Sequence, residues 1–81
     1  MIEIDDVLDM LNQEVARFCC NPFLEVKDEY MIGRIRALND LLVGAIVQSP
    51  EIMTVAQEKR WHDAADHARK HAEENNVEIY I

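Results

Sequence analysis

Two histidines one helical turn apart are the side chains of this sequence best suited to metal chemistry. His67 and His71 are four residues apart, and Asp63 comes four residues earlier, so all three would lie on one side of a helix. A helical histidine pair at this spacing can chelate one metal ion, but Asp63 and His71 would be about 12 Å apart along the axis and could not share it. Zinc would need one or two further ligands from elsewhere in the chain. Cys19 or Cys20 could supply one, but nothing in the spacing of the sequence requires it. One interpretation is therefore a metal-binding protein that uses His67 and His71, and the other is that these side chains are part of a solvated helix surface. We expect no cofactor.

Nucleophilic catalysis has little support in the sequence. The chain contains one serine, Ser49, and one threonine, Thr54, and neither occurs in a recognisable catalytic motif. Cys20 falls on the polar side of the first predicted helix, but a reactive thiolate needs positive surroundings and this helix is acidic. Cys19 and Cys20 are adjacent, with Cα atoms about 3.8 Å apart, which is too close for an ordinary structural disulfide. We therefore expect a protein that is not an enzyme and that resides in a reducing cytoplasm.

Acidic residues dominate the charge of the chain. Its 81 residues include 16 Asp or Glu and 8 Lys or Arg, which gives a net charge of −8. This balance repels phosphate backbones and anionic lipids, and the longest apolar run, 41–47, is too short to span a bilayer. We expect no direct nucleic-acid binding, no membrane binding and a protein partner with a basic surface.

The acidic residues of the first helix also suggest a more specific alternative. Asp5, Asp6, Asp9 and Glu14 could imitate the spaced phosphates of a nucleic acid. The chain would then be an acidic inhibitor that occupies the binding surface of a DNA- or RNA-binding protein. Ordinary solvated surface charge is the competing interpretation.

Three helices are predicted to position these side chains within one helical domain that covers residues 1–81. The predicted fold is mostly α, a three-helix antiparallel bundle with helices at about 5–20, 26–48 and 50–74. The first helix has one apolar stripe, about 120° wide, made of Ile4, Val7, Leu8, Leu11, Val15, Phe18 and Cys19.

The second predicted helix is apolar nearly all round, which favours a central position in the fold. One of its apolar sides consists of Tyr30, Gly33, Ala37, Leu41 and Gly44. The glycines and Ala37 are small enough to let the alanine-rich inner side of the third helix approach closely. The apolar surface of the second helix exceeds what one short neighbour can cover, so a homodimer is an alternative to a monomer.

Capping residues predict where the third helix begins. Ser49 is a favourable N-cap and Pro50 suits the first helical position, while Asn75 and Asn76 are a suitable stop. Residues 77–81 and 2–4 alternate between apolar and polar side chains, which is the pattern of a strand. The two segments could pair as a small ribbon, or the C-terminal segment could pair with another chain.

Two aromatic residues complete the candidate partner-binding residues. Trp61 lies on the inner side of the third helix, where a tryptophan is usually a core anchor, although tryptophan is also enriched in binding hot spots. Tyr80 belongs either to a pairing strand or to a docked tail. With the acidic residues, they predict a small non-catalytic protein-interaction or regulatory module, of the kind common among bacterial and phage accessory proteins.

Overall fold

Three helices make up most of the described chain. The computed structural model describes residues 3–20 and 28–81, and its helices in chain order are α1 (Ile4–Cys20), α2 (Asp28–Gln48) and α3 (Val55–Glu74). Helix α1 packs against both α2 and α3. The predicted mostly helical fold and the three-helix bundle are therefore confirmed. None of the helices in the described ranges combines the length and apolar character needed to cross a membrane.

Ion pairs between the helices show their directions. Arg60, early in α3, binds Asp9 of the first half of α1 at 2.7 Å, so these two helices run the same way. Arg34, early in α2, binds Glu14 of the second half of α1 at 3.3 Å, so α2 runs the opposite way. Successive helices are thus antiparallel, as predicted.

Helix α1 is the central helix, and the prediction that the second helix is central is wrong. The predicted stripe of α1 forms the middle of the core, with Leu8, Leu11 and Phe18 fully buried. Acidic residues in its first turn and Arg17 in its last turn suit the helix dipole. Helix α3 packs mainly on α1 rather than on α2, because α1 presents seven apolar side chains along one stripe.

Helix α3 begins at Val55, not at the predicted position 50. Thr54 is the N-cap, and its hydroxyl accepts from the Gln57 main-chain N–H at 3.1 Å while the Gln57 side chain accepts from the Thr54 N–H at 2.9 Å. This capping box satisfies two donors reciprocally. Ser49 instead forms a turn, in which its carbonyl accepts from Ile52 N–H at 2.9 Å, so the first helical turn lies farther along the chain.

The end of α3 agrees with the sequence prediction. Asn76 has a positive φ of 56°, a conformation that asparagine tolerates. The N–H groups of Asn76 and Val77 donate to the carbonyls of Glu73 and Ala72 at 3.3 and 2.8 Å, which is the Schellman arrangement. The helix ends at Glu74.

The C-terminal tail, residues 77–81, folds back along α3 without forming a strand. Val77, Ile79 and Ile81 pack against the core, and the Arg69 guanidinium donates to the Ile81 main-chain oxygen at 2.7 and 3.0 Å. Ile4 belongs to α1, and Ile2 lies outside the described residues. The predicted ribbon is therefore not formed in the described chain, since the tail uses its alternating apolar side chains to cover the core.

Candidate interaction surface

The acidic start of α1 is joined to the start of α3. Asp5 accepts a hydrogen bond from the Gln57 amide at 2.9 Å, and Arg60 binds Asp9 at 2.7 Å and Asp5 at 3.6 Å. Asp6 is exposed. Two of the three aspartates predicted to meet a partner thus also hold α1 and α3 together.

Glu14, the fourth acidic candidate, lies inside the bundle. Its side chain is only 6% exposed, and its carboxylate binds Arg17 at 3.2 Å and Arg34 at 3.3 Å. A hydrogen bond to the Tyr30 hydroxyl and the nearby Glu14 carboxylate raise the pKa of Arg34. Glu14 therefore connects α1 to α2, and the acidic surface of α1 consists of the three aspartates.

Trp61 connects α3 to α2. Its indole N–H donates to the Asn39 side-chain oxygen at 2.7 Å, and Asn39 is buried. The indole is partly buried against the core and stacks on His62 with ring centroids 5.4 Å apart. These contacts support the core-anchor interpretation of Trp61.

The two histidines have different surroundings, and only His71 takes part in packing. His71 packs edge-on against Phe18, with ring centroids 4.9 Å apart, and its buried Nε2 has no hydrogen-bond partner in the described chain. His67 is exposed, and Asp63 pairs with Lys59 at 3.0 Å. Within residues 3–20 and 28–81, no three His, Cys, Asp or Glu side chains are grouped so that they could hold a metal ion.

The two cysteines differ in their surroundings. Cys19 lies partly buried beside α3, with its thiol 4.0 Å from the His67 carbonyl oxygen. Burial, with the neighbouring Cys20 and Glu74, raises the pKa of the Cys19 thiol. Cys20 is exposed. A raised pKa keeps Cys19 protonated and unreactive.

A groove lies between α3 and the tail, with a volume of about 340 Å³. Its lining includes Arg69, Glu78 and Tyr80. Arg69 is already bound to Asp66 at 2.8 Å and to Ile81, and Tyr80 donates to Glu78 at 2.7 Å, which raises the pKa of Tyr80. Arg69, Glu78 and Tyr80 are therefore already engaged in hydrogen bonds within the chain.

The outer side of α2 carries several exposed apolar side chains. We define the α2 face as the exposed residues Tyr30, Gly33, Ala37, Asp40, Leu41, Gly44 and Val47, with Arg36 and Val43 along one edge. Tyr30 is 71% exposed, Leu41 47%, Val43 42% and Val47 75%. At 100° per residue these positions fall on one side of the helix, opposite the buried Ile35 and Leu42.

Tyr80 of the tail lies beside the α2 face. The Arg36 guanidinium carbon is 6.0 Å from the centre of the Tyr80 ring, at the outer limit of a cation–π contact. The structure thus brings one predicted partner-binding residue, Tyr80, to this surface, whereas the aspartates and Trp61 lie elsewhere.

Sequence reasoning recognised that α2 has more apolar surface than one neighbour can cover, but it did not identify which side stays exposed. The small residues were expected to contact α3, yet Gly33 and Gly44 are exposed and no described atom lies within 4 Å of a Cβ added to either. The useful signal was the even spread of apolar residues around α2, since a helix can bury only the side that its neighbour covers.

Comparison of the chain with protein-family models, with curated proteins and with solved structures finds no match. The arrangement of its own side chains is therefore the basis on which a function is assigned.

Proposed function

We propose that this protein is a non-catalytic interaction module that binds protein through the α2 face and thereby modulates a partner. The observation that carries the proposal is the exposure of Tyr30, Leu41, Val43 and Val47 on one side of one helix. Soluble monomers rarely leave large contiguous apolar patches in water, and such patches commonly mark interaction sites. A large aromatic side chain such as Tyr30 is also a frequent anchor of protein interfaces.

The rest of the surface favours a basic partner protein. The net charge of −8 attracts positively charged surfaces over distances of about a Debye length and speeds their encounter. Asp5, Asp6 and Asp9 are exposed on α1 and contribute to this field. The apolar contact would supply affinity, and the charge would select among partners.

The test compares two variants that remove exposed apolar side chains. Leu41→Ser/Val47→Ser changes the α2 face, and Val55→Ser is the matched control, because Val55 is 84% exposed but lies at the start of α3. Each tagged chain is incubated with a nuclease-treated lysate of the source cells, and captured proteins are identified by mass spectrometry. Circular dichroism checks that each variant is folded.

We expect the unchanged chain and Val55→Ser to retain the same stoichiometric protein, and Leu41→Ser/Val47→Ser to lose it. The captured protein is then purified, and its affinity for the three chains is measured by calorimetry. Equal affinity for all three, or capture of no protein by any of them, contradicts docking through the α2 face.

The acidic inhibitor is separated from this proposal by a different variant. If the captured protein binds DNA or RNA, and Asp6→Lys abolishes its capture while Leu41→Ser/Val47→Ser does not, the acidic surface is the contact. Asp6 is the suitable position, because Asp5 and Asp9 also hold α3 and their replacement would disturb the bundle.

A further inference from the structure

Two glycines inside α2 make no close contact with the described residues outside their own helix. Glycine is the poorest helix former after proline, yet Gly33 and Gly44 both lie inside α2. Neither has a positive φ, and no described atom lies within 4 Å of a Cβ added at either position. They are 44 − 33 = 11 residues apart, about three helical turns, so both lie on the α2 face. Small residues on a helix face let another backbone approach closely.

We propose that the α2 face pairs with the α2 face of a second copy of this chain, with the two helices antiparallel. The inference rests on the proposed function in one respect, namely that the α2 face is a protein-contact surface, and it names the occupant. The two-fold axis would pass between the two helices, at the level midway between Gly33 and Gly44. Each Gly33 would then lie level with Gly44 of the second copy.

Size complementarity follows from this register. Two residues lie level across the axis when their numbers add up to 33 + 44 = 77, so the centre falls between residues 38 and 39, and Ala37 lies about one and a half residues from it on each copy. The helix axes can approach closely there, because neither glycine carries a side chain. In this register Tyr30 lies level with Val47 of the other copy and three residues, about 4.5 Å along the axis, from the level of its Gly44, so the apolar side chains pack beside the small residues.

Charge complementarity favours a second copy over a basic partner at this face. Arg36 and Asp40 lie on the same side of the glycine line of the α2 face, and their charges are opposite. In the antiparallel pair Arg36 comes within one residue of the level of Asp40 of the second copy (36 + 40 = 76), about 1.5 Å along the axis. The ion pair between Arg36 of one copy and Asp40 of the other therefore forms twice, because the two-fold axis brings the same side of both α2 faces together. A parallel pair would instead set Arg36 level with Arg36 of the other copy.

The present contacts leave these charges available. Arg36 is exposed and only 6.0 Å from the Tyr80 ring centre, a weak interaction that an ion pair can replace. The exposed aspartates of α1 that bind Arg60 connect to α3, so pairing through α2 does not bring them together.

The size of the surface sets the expected affinity. Helix α2 has 21 residues and is about 30 Å long, and one helix face per copy falls at or below the lower end of the about 1,200–2,000 Å² that stable interfaces bury. A reversible dimer is therefore expected, with a dissociation constant on the order of 10 µM.

The test is sedimentation equilibrium of the purified full chain from about 1 µM to about 1 mM, with a reducing agent because Cys20 is exposed. Gly44→Leu should raise the dissociation constant at least about tenfold, since the leucine fills the closest approach. Ala16→Leu is the matched control, because Ala16 is exposed on α1 and gains the same side chain away from the face.

The charge variants test the register itself. Arg36→Asp and Asp40→Arg should each associate at least about tenfold more weakly than the unchanged chain, because each places like charges level across the axis. An equimolar mixture of the two variants should form a heterodimer, because each aspartate at position 36 or 40 of one variant then faces an arginine of the other. The double variant Arg36→Asp/Asp40→Arg should form a homodimer for the same reason. A purely structural role of Arg36 or Asp40 within one chain would not produce association in the mixture.

The outcomes separate this inference from the proposed function. A chain that stays monomeric over the whole range, or a dimer that Gly44→Leu and the charge variants leave unchanged, overturns self-pairing. A monomer that still captures another protein through Leu41 and Val47 overturns self-pairing alone. A dimer with the expected variant pattern that captures no other protein supports self-pairing and contradicts the docking role.

Discussion

Helices α1 and α2 contain similar proportions of apolar residues but bury them very differently. By their sequences, 10 of 17 residues of α1 and 12 of 21 residues of α2 are apolar. Six apolar residues of α1 are buried, whereas only Ile35, Leu42 and Ala45 of α2 are. Seven of the ten apolar residues of α1 share one stripe, whereas those of α2 surround the helix. Arrangement rather than number therefore decides which helix is central, and α2 keeps an apolar surface for contacts outside the chain.

The largest test of this contrast replaces one leucine in each environment. Leu11→Ala in α1 and Leu42→Ala on the inner side of α2 should each lower the free energy of unfolding by about 2–5 kcal/mol, because both leucines are fully buried and each change leaves a cavity. Leu41→Ala, one residue away but 47% exposed, should change it by about 0.5 kcal/mol or less. Urea denaturation followed by circular dichroism, at a concentration where the chain is monomeric, measures all three.

A comparable loss for Leu41→Ala would break the contrast, since it would show that the outer side of α2 is covered within the chain. If Leu42→Ala instead behaved like Leu41→Ala, the inner side of α2 would contribute little to the core.

The ion pair that joins the two helices offers the next test. Replacing both Arg17 and Arg34 with alanine leaves the buried Glu14 carboxylate without these partners, which should cost about 1–3 kcal/mol of unfolding free energy. Glu14→Met removes the buried charge and keeps the side-chain length, so its stability should stay within about 1 kcal/mol of the unchanged chain or rise. Thermal and urea unfolding give both values.

The opposite ranking, with Glu14→Met the more damaging change, would mean that the carboxylate contributes net stability between α1 and α2. The contrast between the helices would then include a polar as well as an apolar component.

Most of the fold could be predicted from local signals. The stripe of α1 and the stop at Asn75 and Asn76 are short-range patterns, and both appear in the structure. The start of α3 could have been found as well, because Thr54 and Gln57 have the spacing of a capping box. Ser49 followed by Pro50 competed with it, and the choice between two acceptable caps depends on tertiary contacts such as the burial of Met53.

The candidate surface was harder to predict, because exposure is a property of the packed bundle. The sequence shows that Tyr30 and Leu41 share one side of α2, but not which side α1 covers. The acidic candidates illustrate the same limit, since Glu14 lies only five residues after Asp9 and yet is buried. Its position at the edge of the apolar stripe of α1 is the one signal that pointed inward.

The N-cap of α3 provides a test, with a smaller expected effect, of where this helix begins. Thr54→Ala should lower the unfolding free energy by about 0.5–2 kcal/mol, because the Gln57 N–H loses its acceptor. Ser49→Ala is the control and should have an effect within about 0.5 kcal/mol. If Ser49→Ala were the more damaging substitution in denaturation experiments, α3 would begin where the sequence first suggested.

The smallest expected effect is the most informative about α2. Gly33→Ala and Gly44→Ala should each raise the stability of the monomer by about 0.5–1 kcal/mol, since alanine is the better helix former and the added Cβ meets open space. The same changes should weaken self-association, because the added methyl group lies where the two copies approach most closely. Unfolding at low concentration and sedimentation at high concentration would therefore shift in opposite senses. A gain in stability with unchanged association would show that the glycines lie outside any contact between copies, and that the exposed side of α2 serves a different partner. A loss of stability would show that the outer side of α2 is covered within the chain. Helices α1 and α2 would then bury more similar shares of their apolar residues.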